Sequence, residues 1–386
     1  MSAKTAHKWA FKPRFKAKAF GWRSSLPIKR IKEAVSEIRQ VARKDKRLGA
    51  EGAVIFLERL SPAIEQVDSS SGAIGNAVYH AVETLVPIIV AAPASDKLRD
   101  QWLDRLWVAI KQDEMPYIEM LPDYWGDLCV TSVRASKWAD RFVGMVRLIW
   151  RPDMPPSGYF KGTAACLSGL FAAGRYDELL GLLELAPYRS WHDRRWGVKA
   201  LAAQGERAAA IHYAEETRVL NQNNTQISLA CEDILLSSGL WREAYDRYAI
   251  EANRRGTYLA TFRAIERKYP EMDPDVIIRD LADSTLGNEG KWFAAAKSAG
   301  LYAQAIALAN QSPCDPKTLT RAAKDMATKN PDFARSAGLT ALRWLSLGHG
   351  YEISANEIKQ AFDHTMGAAR NVEASQRIAG QHRNFW

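Results

Sequence analysis

The sequence is short of the residues that most often announce an activity. Four cysteines occur in 386 residues, and no two of them form a Cys-x-x-Cys pair. That absence argues against both a zinc module and a disulfide framework. Cys166 and Cys231 stand in apolar helical surroundings (TAACLSGL and SLACEDILL), as buried free thiols do, which points to a reducing cytoplasm. The seven histidines include no His-x-x-x-His or His-Glu-x-x-His pair, so no metal site is indicated. The loop from Asp68 to Gly75 (DSSSGAIG) lacks the Lys-Ser/Thr end of a Walker loop and a preceding strand, and reads as a turn with a serine N-cap. With no paired-carboxylate motif and no nucleophile–base arrangement, the chain is expected to be non-enzymatic and to need no cofactor.

Long hydrophobic runs are missing too. The longest, from Leu85 to Ala94, has about ten residues and two prolines, whereas a membrane span needs about 20. The basic N-terminus is followed by no apolar stretch of the kind a secretory signal requires. Alternating β-branched runs are also scarce, and GDLCVTSVRA at 126–135 is the one strand-like stretch. The expectation is an all-α protein that does not enter a membrane.

Acidic residues are absent from the first 32 positions, and this absence matters most. Residues 1–50 hold 15 Lys or Arg against 3 Asp or Glu, a balance of +12; the other 336 residues carry the rest of the formal +9, that is −3. Within residues 7–32 (HKWAFKPRFKAKAFGWRSSLPIKRIK) the cations Lys8, Lys12, Arg14, Lys16, Lys18, Arg23, Lys29 and Arg30 alternate with Trp9, Phe11, Phe15, Phe20 and Trp22. Cations neutralise phosphates and release counterions, and aromatic rings stack on unpaired bases. Lys8, Trp9, Lys12, Arg14, Phe15, Lys16, Lys18, Trp22, Arg23, Lys29 and Arg30 are therefore the candidate nucleic-acid-binding residues. Pro13, Gly21 and Pro27 predict an extended or turned segment. Two other readings of the same residues are an arm whose aromatics pack back on the first helices, and a surface for an acidic protein partner.

Four later segments align on a glycine: AAGRYDELLGLLELA at Gly174, AAQGERAAAIHYAEE at Gly205, SSGLWREAYDRYAIEA at Gly239 and SAGLYAQAIALANQ at Gly300. The spacings are 31, 34 and 61, the last close to two periods of about 30. In each, a helix ends on a left-handed glycine and a second amphipathic helix restarts, with Glu178, Glu243 or Gln304 near its positive end. Ala244, Tyr245 and Tyr248, and likewise Ala305, Ile306 and Ala309, form stripes for packing on the preceding helix. This pattern resembles tetratricopeptide repeats, without the regular Trp and Tyr of that family's first helix. The resemblance implies a right-handed α-solenoid of helix-turn-helix units and a scaffold within a multiprotein complex. Three regions are expected: a basic-aromatic arm at 1–32, an irregular helical region at 33–150, and tetratricopeptide-like repeats at 151–386, with the Pro-rich stretch 151–159 as the boundary.

The C-terminal third, with TYLATFRAIERKYPEMDP, GNEGKWFAAAKSAGLYAQAIALANQSPCDPKTLTRAAKD and GHGYEIS, is similar to helical modules of uncharacterised bacterial proteins, some associated with SWIM zinc-finger proteins. The Cys-x-Cys and Cys-x-His elements of that zinc site are absent here. Among the remaining features, WHDRRW at 191–196 reads as a polar loop or helix start, and His212 as a packed helical histidine. Gly348-His349-Gly350 marks a helix end. Lys291-Trp292-Phe293 and Trp344 read as core, and the tail ending in Phe385 and Trp386 extends past the last helix.

Overall fold

The structure, a computed structural model, describes residues 7–151, 159–218, 224–351 and 353–383, with side chains of the final helix described to residue 374. Among the described residues every regular element is helical. The chain forms two compact units, Met1–Gln222 and Asn223–Trp386. The division thus falls after the Pro-rich stretch, most of which (152–158) lies outside the described residues.

The first unit contains α1 (Ser25–Lys44), α2 (Lys46–Ile64), α3 (Ala73–Val90), α4 (Asp96–Gln112), a 3-10 turn (Leu121–Tyr124), α5 (Trp125–Cys129), α6 (Ser132–Ile149), α7 (Thr163–Ala172), α8 (Tyr176–Leu183), α9 (Trp191–Ala203) and α10 (Arg207–Glu215). Helices α1, α2 and α3 pack on one another, and α4 packs on α2. A single hydrophobic core runs through this unit. Its centre is aromatic: Trp107 lies 4.6 Å from Phe142 and Trp125 lies 4.9 Å from Trp138, ring centroid to ring centroid.

Local chemistry corrects several expectations. Helix α1 starts at Ser25, not after Lys32, and Pro27 sits in its first turn, where a missing N–H costs no helical bond. Helix α2 passes through Pro62 and ends at Ile64. The strand-like stretch is helical on both sides of Val130, a β-branched residue held at φ +65°, and Thr131 caps α6 by accepting from the Arg134 N–H at 3.3 Å. The residue before α3 is Gly72 at φ +69°, and the serine that accepts at this end is Ser71, whose hydroxyl takes the Ala73 N–H at 3.4 Å. Helix α3 is long and apolar enough to cross a membrane by length and composition. Its Ile74, Val78, Val82, Leu85 and Ile89 are buried in the core it shares with α1 and α2.

The second unit contains α11 (Asn224–Ser237), α12 (Trp241–Ala252), α13 (Tyr258–Lys268), α14 (Pro274–Asp283), a 3-10 turn (Glu289–Trp292), α15 (Phe293–Ser298), α16 (Tyr302–Gln311), α17 (Pro316–Met326), α18 (Pro331–Ser346) and α19 (Ala355–Arg383). Helices α17, α18 and α19 pack mutually. Trp292, Phe293 and Trp344 are buried. Helix α19 continues through Gly380, and Phe385 and Trp386 lie outside the described residues.

The four aligned glycines occupy equivalent joints. Gly174, Gly205, Gly239 and Gly300 have φ between +72° and +88°. At each, the residue after the glycine donates its N–H back to a carbonyl five positions earlier: Arg175 to Leu170, Glu206 to Leu201, Leu240 to Leu235 and Leu301 to Ala296, at 2.9–3.0 Å. These are Schellman closures. That following residue then adopts φ −81° to −91° and ψ 51° to 63°, an inverse γ-turn conformation that redirects the chain into the next helix. The gap of 61 between Gly239 and Gly300 holds α13 and α14, whose joint lacks glycine. There Asp273 accepts from the Asp275 N–H at 2.9 Å and Pro274 opens the helix.

Candidate nucleic-acid interface

The arm is not a free segment. Its aromatic rings alternate with cations because they face opposite ways. Trp9, Phe11, Phe15 and Phe20 are buried, and Phe11 and Phe15 meet Phe56 of α2 edge-on with centroids 5.4 and 5.0 Å apart. The backbone is tied down as well. Glu37 of α1 accepts from the N–H groups of Ala10 (2.8 Å) and Phe11 (3.2 Å). The Lys18 N–H donates to the Pro62 carbonyl at 2.8 Å, and the Phe20 N–H to the Ala63 carbonyl at 3.3 Å. Those carbonyls belong to the last turn of α2, where no intrahelical donor remains, so the arm caps α2.

This packing corrects part of the predicted site. The rings of Trp9 and Phe15, 4% and 1% exposed, face the core and cannot stack on bases in the folded protein. Burying a large ring is worth several kcal/mol, far more than a solvent-exposed stack would return, so the core takes the aromatics. Trp22 alone among the arm aromatics is open, at 72% exposure, and its carbonyl accepts from the Asp68 N–H at 2.9 Å.

The cations divide into two sets. Arg14 and Arg30 both reach Glu33, at 3.1 and 2.6 Å, and Lys18 lies 3.8 Å from Glu65. The Arg30 guanidinium hydrogen-bonded to Glu33 holds that carboxyl below its ordinary range. Lys8, Lys12, Lys16, Arg23 and Lys29 are exposed and have no ion-pair partner among the described residues. The three acids of the first 50 residues are all engaged internally: Glu33 by two arginines, Glu37 by two arm N–H groups, and Asp45 as the N-cap of α2, accepting from the Leu48 N–H at 2.9 Å.

The structure adds cations beyond the predicted set. On α1 the core side is Ile31, Ala34, Val35 and Ile38, and the opposite side exposes Lys29, Lys32, Arg39 and Arg43. Four cations at these spacings make a stripe about 21 Å long at about 1.5 Å per residue. One strand of duplex DNA places roughly six phosphates over that length. The signal is present in the sequence as helical spacing from Lys29 to Arg43, and it stays hidden when the helix is started eight residues late.

The other polar features gather no comparable site. His192 does not face its neighbour Asp193; its Nε2 lies 3.5 Å from Asp123 Oδ1, which also pairs with Arg195. Helix α9 starts at Trp191, capped by the Ser190 side chain. His212 is 77% exposed and pairs with Glu216 at 3.1 Å, so it is a surface histidine, not a packed one. Among the described residues no group of three His, Cys, Asp or Glu side chains could hold a metal ion. No protein-family model matches the chain, and no curated protein matches it significantly.

Proposed function

We propose that this protein is a non-enzymatic helical-repeat scaffold that binds nucleic acid through its basic N-terminal face, within a multiprotein complex. The observation that carries the reading is the separation of charge at that face. Every carboxylate of the first 50 residues is engaged internally, while Lys8, Lys12, Lys16, Lys29, Lys32, Arg39 and Arg43 stand in solvent. The contact is with the phosphate backbone, without sequence readout, and Trp22 is the one ring placed to stack on an unpaired base. The equivalent glycine joints at Gly174, Gly205, Gly239 and Gly300 support a right-handed, tetratricopeptide-like α-solenoid as the scaffold. Buried cysteines that form no disulfide fit a cytoplasmic setting.

Deleting residues 1–32 would not test this, because it removes four core aromatics and the start of α1. The test is charge reversal of Lys29, Lys32, Arg39 and Arg43 to Glu in the full chain, with oligonucleotide binding followed by anisotropy across salt concentrations. The log–log salt slope is expected to fall by about 0.9 for each duplex phosphate that is no longer neutralised. Equal, weak binding by both proteins would overturn the reading. Nuclease-resistant co-purification with an acidic protein, abolished in the same variant, would favour a protein–protein adaptor instead.

A further inference from the structure

The second unit carries a separate concavity of about 310 Å³ between α17 and α19, floored by Leu345 of α18. That volume is at the lower end of small-molecule sites. Its two walls are helix faces. Helix α17 contributes Lys317, Arg321 and Lys324, spaced four and three residues apart, and α19 contributes Glu357, Gln360 and His364 at the same kind of interval. Residues at such intervals share a face, so both rows point into one groove.

The charges in the groove do not cancel. Among the described residues Glu357 is the only lining acid, and it is already held by Lys317 at 2.8 Å and by the Ser354 N–H at 3.1 Å. Arg321 and Lys324 are exposed and have no ion-pair partner among the described residues. Two cations without an ion-pair partner among the described residues and a histidine therefore meet in a concave site. Tyr351, a residue 79% exposed, also lines the groove. It stands next to Gly350 at φ +139°, and Ile353 lines the wall beside it.

From this arrangement we propose that the groove binds a phosphate monoester attached to a flat ring, as in a mononucleotide. Arg321 and Lys324 engage the phosphate, since a guanidinium fork and an ammonium are the side chains that suit its oxygens. Tyr351 offers the ring a stacking face, and Leu345 and Ile353 exclude water beneath it. The ligand is either a free mononucleotide or the phosphorylated end of a strand. This site is independent of the basic face of the first unit.

The test is titration calorimetry on the full chain with AMP, ribose 5-phosphate and inorganic phosphate. Saturable AMP binding is expected, weakened at least about 10-fold by Arg321→Glu or Lys324→Glu. Tyr351→Ala is expected to weaken AMP but leave ribose 5-phosphate unchanged. Both charge positions are exposed, so the variants should keep the parent melting curve; if Arg321→Glu does not, Arg321→Gln replaces it. In a background with the α1 cations reversed, a preference for a 5′-phosphorylated over a 5′-hydroxyl oligonucleotide assigns the site to strand ends, whereas binding of AMP alone assigns it to free mononucleotides. No saturable binding of any phosphate probe at about millimolar concentration, or AMP binding unchanged by both charge reversals, overturns the proposal.

Discussion

The indole of Trp9 lies where a side chain on Gly52 would be: a Cβ built there would come 2.3 Å from the ring. The N-terminal segment can dock on α2 because position 52 has no side chain, and the ring can be buried because α2 offers that gap. Gly52→Ala is therefore expected to destabilise the first unit by about 1–3 kcal/mol through overpacking. Trp9→Ala, which leaves a cavity, is expected to cost about 3–5 kcal/mol. Chemical denaturation checks both, and a Gly52→Ala protein as stable as the parent would show that the indole does not occupy this groove.

Trp22 separates stacking from charge. Its ring is the one open arm aromatic, so Trp22→Ala is expected to weaken single-stranded binding by about 1–3 kcal/mol and leave duplex binding nearly unchanged. An equal loss on both substrates would mean that the ring acts through the fold and not through a base.

In the second unit, Glu232 is fully buried and accepts from Asn253 (2.7 Å), Lys268 (2.6 Å) and Tyr269 (2.5 Å). This carboxylate joins α11 to the end of α12 and the end of α13. Removing it leaves the Tyr269 hydroxyl without its acceptor, whereas Lys268 keeps Asp233 at 3.0 Å and Asn253 keeps the Ala249 carbonyl at 2.8 Å. Glu232→Ala is expected to cost about 1–3 kcal/mol in urea unfolding, and Lys268→Met about 3–5 kcal/mol, because it leaves a fully buried carboxylate without its counter-charge.

Val130 offers a change in the opposite direction. It is exposed, β-branched and held at φ +65° between α5 and α6. Glycine adopts this conformation without a Cβ clash, so Val130→Gly is expected to raise the melting temperature, with a gain of order 1 kcal/mol. A lowered melting point would mean that the valine side chain makes interactions worth more than its strain.

All four cysteines are buried and none is in a disulfide, and burial pushes the thiols of Cys129, Cys166 and Cys314 up to about 12. A thiol reagent at neutral pH is expected to find none of the four in the native protein and all of them after denaturation. The raised values also set a pH dependence. Between the unfolded thiol range near 8.5 and the folded value, the native state holds protons that the unfolded chain has released. Stability contributed below about pH 8.5 is then lost as pH rises toward about 12, by up to about 1.4 kcal/mol per pH unit for each thiol. Cys166→Ala should flatten that slope, as thermal melts across alkaline pH would show.

Sequence alone determined the helical class, because periods of three to four residues and the glycine joints are local. Gly174, Gly205, Gly239 and Gly300 could be assigned as helix ends from their neighbours, since a Schellman closure involves only six consecutive residues. The surplus of cations at one end was equally plain, because counting needs no fold. Tertiary structure decided which arm residues face solvent. Trp9 and Trp22 look alike in the sequence, yet one fills the gap at Gly52 and the other stays in water, and only the position of α2 separates them. It also decided that Pro27 opens α1 instead of blocking it, and so aligned Lys29, Lys32, Arg39 and Arg43 in one stripe. Burial and charge pairing depend on partners 20 to 50 residues away, such as Glu37 for the Ala10 N–H and Pro62 for the Lys18 N–H. No local pattern encodes those partners.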